Sequence, residues 1–127
     1  MTYRRIMLID DDEDDKDIFC SALEKVTDKI SLTAFDNARE ALNKLSSKEI
    51  HADLIFLDLN MPVMNGQQFL VEIKKDEKLR HIPIIILSTS SHASTISLTR
   101  ELGANDFITK PDKFDDLINI LKKVLQP

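Results

Sequence analysis

Short apolar segments alternate along the chain with longer segments whose apolar residues recur at helical spacing. Three of the apolar segments are nearly continuous, RIMLI, LIFL and IPIIIL, and SLTAF and DFIT are weaker. A short continuous apolar run is typical of a parallel strand that is covered on both faces. The pattern therefore predicts five strands, at residues 5–9, 31–35, 54–57, 82–87 and 106–109.

The segments between the strands predict helices, because their apolar residues recur three and four positions apart. Asn37 with Glu40 predicts a capping box at the start of one helix, and Gly103 predicts the end of another. We interpret the recurring residues as core faces. They are Ile18, Phe19, Ala22, Leu23 and Val26, then Ala38, Ala41, Leu42 and Leu45, and finally Phe114, Leu117, Ile118, Leu121 and Val124.

Five β-α units in so short a chain predict an α/β fold in which a doubly wound parallel sheet carries helices on both faces. In such sheets ligands bind beyond the carboxyl ends of the strands. The chain has 127 residues, the size of one ordinary domain, so we expect a single domain over residues 1–127.

Composition excludes several classes of function. The chain has 17 Lys and Arg against 22 Asp and Glu, a net charge of −5, and its basic residues are scattered. We therefore expect no nucleic acid and no membrane surface among its partners. The apolar runs are too short to span a bilayer, Cys20 is the single cysteine, and the N-terminus lacks a secretory signal pattern. These features favour a cytoplasmic protein.

Chemically reactive side chains follow four of the five predicted strands. Six acidic residues, 10–15, come directly after the first strand, and Asp58 and Asn60 come after the third. Ser88 follows the fourth strand and Lys110 follows the fifth. Because the carboxyl ends of parallel strands share one edge of the sheet, we expect these groups to lie close together.

This set of side chains suits phosphoryl transfer. Two or three carboxylates with a backbone carbonyl form an oxygen site that Mg²⁺ prefers, and phosphate oxygens commonly complete such a site. Asp58 ends the most apolar central strand and precedes the turn NMPVMNG, so it is the candidate nucleophile that would form an aspartyl-phosphate. A lysine and a hydroxyl could neutralise charge on the transferring oxygens.

Four segments together resemble the motifs of bacterial response-regulator receiver domains. They are IMLIDDDEDD, LIFLDLNMPVMNG, IIILSTSS and DFITKP, in the family's order and spacing, and the resemblance spans essentially the whole chain. It implies a flavodoxin-like (βα)₅ sheet with five parallel strands in the order 2-1-3-4-5. It also implies a receiver of two-component signalling with no output domain, which is a phosphoprotein and catalyses only its own phosphorylation and dephosphorylation.

The resemblance also implies a role for each matching residue. Asp58 would be the phosphoacceptor, and Asp10 and Asp11 the acidic pair that holds Mg²⁺. Asn60 would lend the metal its backbone carbonyl. Ser88 would meet the phosphoryl group, Lys110 would be its ion-pair partner, and Phe107 would be the switch aromatic.

The implied partners are a sensor histidine kinase or phosphotransfer protein, which donates the phosphoryl group, and an unknown downstream protein. The segment TSSHASTISLTRELG has a thin apolar face and predicts a helix that is only marginally held. We expect this helix, the fifth strand and the last helix to form the surface that responds to phosphorylation. The family usually has a cis peptide before the proline of its Lys-Pro pair, so we expect a cis Lys110–Pro111 bond.

One part of the sequence departs from the family pattern. The family often has an aromatic residue directly after the Lys-Pro pair, whereas Asp112 and Lys113 precede Phe114 here.

A phosphatase of the haloacid-dehalogenase type would also use an aspartate nucleophile, but it needs a second Asp two positions later, where this chain has Asn60. A phosphorylation-independent interaction domain on a receiver fold is a third reading, although all the reactive positions are present.

Several of these residues also have an ordinary structural interpretation. Acidic residues in the first turn of a helix are favoured by its dipole, which accounts for Glu13, Asp14, Asp15 and Asp17. Ser88 or Lys110 alone would be an ordinary strand-end or surface residue. The functional reading therefore depends on the whole set occurring at one edge of the sheet.

Overall fold

The computed structural model describes residues 3–126 as one sheet with helices on both faces. The strands are β1 (Arg5–Ile9), β2 (Ser31–Phe35), β3 (Leu54–Leu57), β4 (Ile84–Ser88) and β5 (Asp106–Thr109). The helices are α1 (Glu13–Val26), α2 (Ala38–Ser46), α3 (Gly66–Lys75), α4 (Ala93–Glu101) and α5 (Phe114–Leu125). All strand pairs are parallel and the order is β2-β1-β3-β4-β5, which confirms the predicted topology.

The central strands contribute to two hydrophobic clusters, one on each face of the sheet. Along β1, Met7 and Ile9 enter one cluster, and Ile6 and Leu8 enter the other. Side chains alternate between the faces of a strand, so a strand covered on both faces must be apolar at every position. This requirement explains why β1, β3 and β4 are continuous apolar runs in the sequence.

Four strands have the predicted bounds, whereas β4 begins two residues later and ends one residue later than predicted, so that Ser88 is its last residue. Pro83 accepts a hydrogen bond from the Ile55 N–H at 3.0 Å, but it has no N–H to donate. Ile82 is buried, but it lies in the preceding turn, where its N–H donates to the Leu79 carbonyl. The apolar run therefore extends beyond the strand.

The helix ends follow the predicted capping signals in part. The Asn37 side chain accepts from the Glu40 N–H at 2.7 Å, as a capping box requires. The box is not completed, because the Glu40 carboxylate instead accepts from the Asn37 side-chain amide at 3.3 Å. Gly103 ends α4 with a φ of +110°, which confirms the predicted stop.

Two predicted core residues are exposed. Ile18 on α1 and Phe114 at the start of α5 retain 46% and 38% of their accessible surface. Both line a cavity of about 190 Å³ between the two helices, beside Lys110. Their apolar periodicity reflects this partly open contact and not full burial. The other predicted core positions are buried or half-buried.

Candidate functional site

Asp10 and Asp58 lie at the carboxyl ends of β1 and β3, and both are buried, with 2% and 6% of their surface exposed. Their backbones continue the sheet. The Asp10 N–H donates to the Phe35 carbonyl at 3.0 Å, and the Asp58 N–H donates to the Ile9 carbonyl at 2.9 Å. These bonds fix both carboxylates at the same edge of the sheet, as the sequence predicts.

Asp11 completes a cluster of three carboxylates. Oxygen atoms of Asp10, Asp11 and Asp58 all lie within 4.8 Å of one another, and Asp11 is exposed to solvent. Like charges at about 4 Å repel by roughly 4 kcal/mol at the effective dielectric of a protein surface. Such a cluster is suited to a hard divalent cation, which prefers carboxylate oxygens.

Lys110 brings a positive charge to the cluster from the loop after β5. Its Nζ atom lies 2.8 Å from Asp10 Oδ2, 2.7 Å from Asp15 Oδ2 and 3.8 Å from Asp58 Oδ1. The backbone N–H of Lys110 donates to the Ser88 carbonyl at 2.8 Å, and this bond connects the loop to the end of β4. Burial alone would lower the pKa of Lys110, but the hydrogen bonds that its ammonium donates to Asp10 and Asp15 outweigh burial and raise the pKa above its ordinary value.

The same surroundings raise the pKa of Asp58 to about 6. Burial is the largest cause, and the Asp10 charge acts in the same direction. The Lys110 ammonium and a hydrogen bond from the Asn60 backbone N–H act in the opposite direction. Asp58 is therefore a partly desolvated carboxylate, which a cation at this edge would stabilise in its charged form.

The turn after β3 is close-packed at Gly66. The Gly66 N–H donates to the Leu59 carbonyl at 3.1 Å, and a Cβ atom at Gly66 would lie 2.7 Å from the Asp58 carbonyl oxygen. Only glycine fits this approach without a shift. Asn60 lies in this turn and is exposed.

The two predicted switch residues lie on neighbouring strands. Ser88 is fully buried, and its hydroxyl accepts a long 3.3 Å hydrogen bond from the Ser90 N–H. Phe107 on β5 is half-buried against the core and lines a small cavity beneath α4 with Ile96 and Thr99. The structure therefore brings Asp10, Asp11, Asp58 and Lys110 together, with Ser88 at the end of the adjacent strand.

Asp15 joins the site, although its position in the sequence indicated only a favourable interaction with the helix dipole. Its carboxylate makes the shortest of the three Lys110 contacts. Its position in the sequence could have indicated this contact. Asp15 is the third residue of α1, and its N–H donates to the Asp12 side chain that caps the helix. An acidic residue in this first turn lies beside the strand ends.

The Lys110–Pro111 peptide bond is trans, so the expected cis bond is wrong, and no cis bond occurs within residues 3–126. The trans isomer of an X–Pro bond is favoured intrinsically by about 0.5–1 kcal/mol.

A comparison with models of known protein families identifies the family of this chain. The model of the response regulator receiver domain matches residues 6–122 of this chain. The chain belongs to the response regulator receiver family. This membership supports the role of a phosphoacceptor response regulator, and receiver domains are signalling domains and not classical enzymes. Receiver domains interact with histidine kinases or phosphotransfer proteins and with downstream effectors.

Rice (Oryza sativa subsp. japonica) has similar proteins. Two-component response regulator ORR8 is 33% identical over 124 residues, which cover 98% of this chain and 100% of that protein. Two-component response regulator ORR7 is 34% identical over 121 residues, which cover 95% of this chain. The matched region spans just over half, 56%, of ORR7.

Solved receiver structures match the fold closely. The phosphorylated cyanobacterial phytochrome response regulator RcpA is 31% identical, with a TM-score of 0.87 over 96% of this chain and 91% of that one. The Mn²⁺-bound form of response regulator Rcp1 is 27% identical, with a TM-score of 0.85 over 95% and 91%. In the described part of this receiver, no helix combines the length and apolar composition needed to cross a membrane.

Proposed function

We propose that this receiver takes a phosphoryl group onto Asp58, in a reaction that depends on Mg²⁺, from the phosphohistidine of a sensor histidine kinase or phosphotransfer protein. The observation that carries the proposal is the position of Asp58. It is a buried carboxylate within 4.8 Å of two others, and its Oδ1 atom lies 3.8 Å from a lysine ammonium. A nucleophile for a phosphoryl group needs this combination of low solvation and nearby positive charge.

The donor set fits a magnesium ion. The carboxylates of Asp10, Asp11 and Asp58 would hold it, with the backbone carbonyl of Asn60, and oxygen ligands are those that Mg²⁺ prefers. When bound, Mg²⁺ supplies positive charge that neutralises the phosphoryl oxygens.

In the transfer step an Asp58 carboxylate oxygen attacks phosphorus. The new O–P bond forms as the N–P bond of the phosphohistidine breaks, and the leaving imidazole takes up a proton from water. The Lys110 Nζ atom lies 3.8 Å from Asp58 Oδ1, whereas an ordinary N–H···O bond is about 2.9 Å long. The ammonium must therefore move about 1 Å to donate a hydrogen bond to an acceptor at that position. Lys110 would therefore be the ion-pair partner of the phosphoryl group.

The phosphoryl group would then act on the neighbouring strands. It adds roughly two negative charges and strong acceptor oxygens, and Ser88 is the buried hydroxyl at the end of the adjacent strand. If Ser88 moves toward the phosphoryl group, Phe107 can turn inward beside the cavity beneath α4. The surface of α4, β5 and α5 would then change and bind or release a downstream protein.

Two alternatives have less support. A phosphorylation-independent interaction domain would not need the buried Asp58 or the ammonium that Lys110 holds beside it. The family match assigns the chain to receivers, and Asn60 occupies the position at which a haloacid-dehalogenase-type phosphatase needs its second aspartate. A cytoplasmic location and a single domain over residues 1–127 remain predictions.

The test is to incubate the protein with Mg²⁺ and phosphoramidate, a small donor with the N–P bond of phosphohistidine, and to measure its intact mass. We expect an adduct of about 80 Da, the mass of one phosphoryl group, which hydroxylamine removes because it cleaves an acyl phosphate. Asp58→Asn should abolish the adduct. Asp14→Asn is the matched control, because it removes an exposed acidic charge from the first turn of α1.

An adduct of equal size on Asp58→Asn would show that another residue is the acceptor. No adduct on the wild type, with either phosphoramidate or acetyl phosphate, would favour the interaction-domain alternative.

A further inference from the structure

Lys110 is held by two carboxylates, and only one of them belongs to the predicted metal site. Its Nζ atom contacts Asp10 Oδ2 at 2.8 Å and Asp15 Oδ2 at 2.7 Å, both within hydrogen-bond distance. Asp58 Oδ1 lies farther away, at 3.8 Å. The Lys110 side chain is 14% exposed and that of Asp10 is 2% exposed, whereas the Asp15 side chain reaches the ammonium from the solvent side and is 37% exposed.

An ammonium group has three N–H donors. Asp10 and Asp15 accept two of them, which fixes the rotation of the group about its Cε–Nζ bond. One donor remains, and Asp58 is the next carboxylate it can reach. Holding two donors therefore fixes the direction of the third.

The position of Asp15 is itself fixed. Asp12 caps α1, and its side chain accepts from the Asp15 N–H at 3.0 Å. Asp12 in turn donates its N–H to Asp10 Oδ1 at 3.0 Å. Asp10, Asp12 and Asp15 thus form one chain of hydrogen bonds, and the carboxylates at its two ends hold Lys110.

The helix dipole does not explain this contact. Asp14 lies in the same first turn and is exposed, and within residues 3–126 it forms no ion pair. Both residues experience the dipole, but only Asp15 reaches the ammonium. The two side chains therefore form a natural comparison pair.

We propose that Asp15 is a positioning residue, which with Asp10 holds the Lys110 ammonium so that its remaining N–H faces Asp58. The proposal rests on the proposed phosphorylation of Asp58. Asp15 does not touch the phosphoryl group and is not a metal ligand in this scheme. It acts by preorganising the positive charge before transfer, so that only the movement of about 1 Å toward the acceptor remains during the reaction.

The test compares Asp15→Ala with Asp14→Ala, since each variant loses one acidic charge from the same turn. The rate of phosphorylation by phosphoramidate is measured at saturating Mg²⁺. We expect Asp15→Ala to be roughly tenfold slower than Asp14→Ala, because a misplaced group at a reacting centre commonly lowers rates by one to two orders of magnitude. Asp15→Asn keeps an acceptor oxygen and should restore part of the rate.

A second readout does not depend on activity. The Lys110 Nζ–H signal is followed by NMR in the metal-free protein, where a held ammonium exchanges its protons slowly with water. We expect the signal in the wild type and in Asp14→Ala, and we expect its loss by fast exchange in Asp15→Ala. Denaturation curves identify any variant that fails to fold, in which case Asp15→Asn replaces Asp15→Ala.

The outcomes separate the two proposals. If the wild type is not phosphorylated, the proposed function fails. If the wild type is phosphorylated but Asp15→Ala matches Asp14→Ala in rate and in the Lys110 signal, the positioning role of Asp15 is wrong. It is also wrong if a weaker affinity for Mg²⁺ accounts for the whole difference in rate.

Discussion

Helices α2 and α4 both contain nine residues but are held in the protein very differently. Four side chains of α2 are buried in the core, whereas Thr99 is the one buried residue of α4, and Leu98 of α4 is 45% exposed. Because most of the stability of a short helix in a protein comes from burying an apolar face, α2 belongs to the core. Helix α4 packs only weakly against the core.

The ends of the two helices differ as well. Asn37 caps α2 with a 2.7 Å bond to the Glu40 N–H, whereas His92 at the start of α4 makes no side-chain capping bond. The other end of α4 is well fixed, since Gly103 and Ala104 donate their N–H groups to carbonyls of its last turns at 3.1 and 2.9 Å. The loosely held end of α4 is therefore the one next to Ser88 and the site.

This difference suits the proposed signalling. A switch needs an element with two arrangements of similar free energy, and α4 can be displaced at its N-terminal end without exposing a buried apolar core. Helix α2 offers no such freedom. The following experiments test the contrast, from the largest expected effect to the smallest.

Truncating a buried leucine of α2 should produce the largest loss of stability. Leu45 is 2% exposed, so Leu45→Ala should lower the free energy of unfolding by about 2–5 kcal/mol through lost burial and the cavity left behind. Leu98→Ala removes the same atoms from α4 and should cost less than about 0.5 kcal/mol. Urea denaturation measures both, and equal losses would contradict the contrast.

The second effect concerns the buried charge on Asp58 in the metal-free protein. Its pKa is about 6 in the folded state against 3.8 as the ordinary value, so the folded state binds the proton more tightly than the unfolded chain. Stability from this group should therefore rise as pH falls from about 6 to 4, by an amount on the order of 2–3 kcal/mol.

Asp58→Asn should remove that pH dependence. We expect this variant to be more stable than the wild type at pH 7 and similar to it at pH 4, while Asp14→Asn should follow the wild type at both. Because β3 pairs with both of its neighbours in the centre of the sheet, amide hydrogen exchange in α2 should report the gain. Amides of α4 should not change their exchange rates, because local opening of α4 does not depend on the stability of the whole protein. A wild-type stability that is flat between pH 4 and 7 would argue against the raised pKa.

The third experiment removes the side chain at the N-cap position of each helix. Asn37→Ala should destabilise the protein by about 1 kcal/mol, since it leaves the Glu40 N–H without its acceptor. His92→Ala should have almost no effect, because no side-chain bond is lost. Thermal denaturation at one pH measures both variants. A similar loss from His92→Ala would mean that α4 has a cap in solution after all.

Much of this contrast could be read from the sequence. The α2 segment places Ala38, Ala41, Leu42 and Leu45 at helical spacing, and all four are buried. The α4 segment is rich in Ser and Thr, so its weak attachment was also predicted. The continuous apolar runs located the strands because central parallel strands must be apolar on both faces.

Other features depend on contacts that no local pattern contains. Asp15 and Lys110 are 95 positions apart, so their bond exists only because the fold brings the first turn of α1 beside the loop after β5. The exposure of Ile18 and Phe114 likewise depends on how closely two distant helices approach. Spacing shows which face of a helix is apolar, but not how completely a neighbour covers it.

The smallest effect on stability should come from Ser88→Ala, although its effect on signalling should be decisive. The only side-chain hydrogen bond described for Ser88 is the long 3.3 Å contact with the Ser90 N–H, so its loss should cost less than about 0.5 kcal/mol. The variant should still bind beryllofluoride, which mimics the phosphoryl group, at Asp58. Without the hydroxyl, however, nothing on β4 can move to meet the added oxygens, so Phe107 should stay in place and α4 should keep its position.

Amide chemical shifts with and without beryllofluoride measure this, and Thr89→Ala is the matched control because it removes an exposed hydroxyl one residue away. We expect Thr89→Ala to respond as the wild type does, and Ser88→Ala to lose most of the shift changes in residues 92–108. If those residues shift as fully in Ser88→Ala as in the wild type, the weakly held α4 responds by a route that does not involve Ser88.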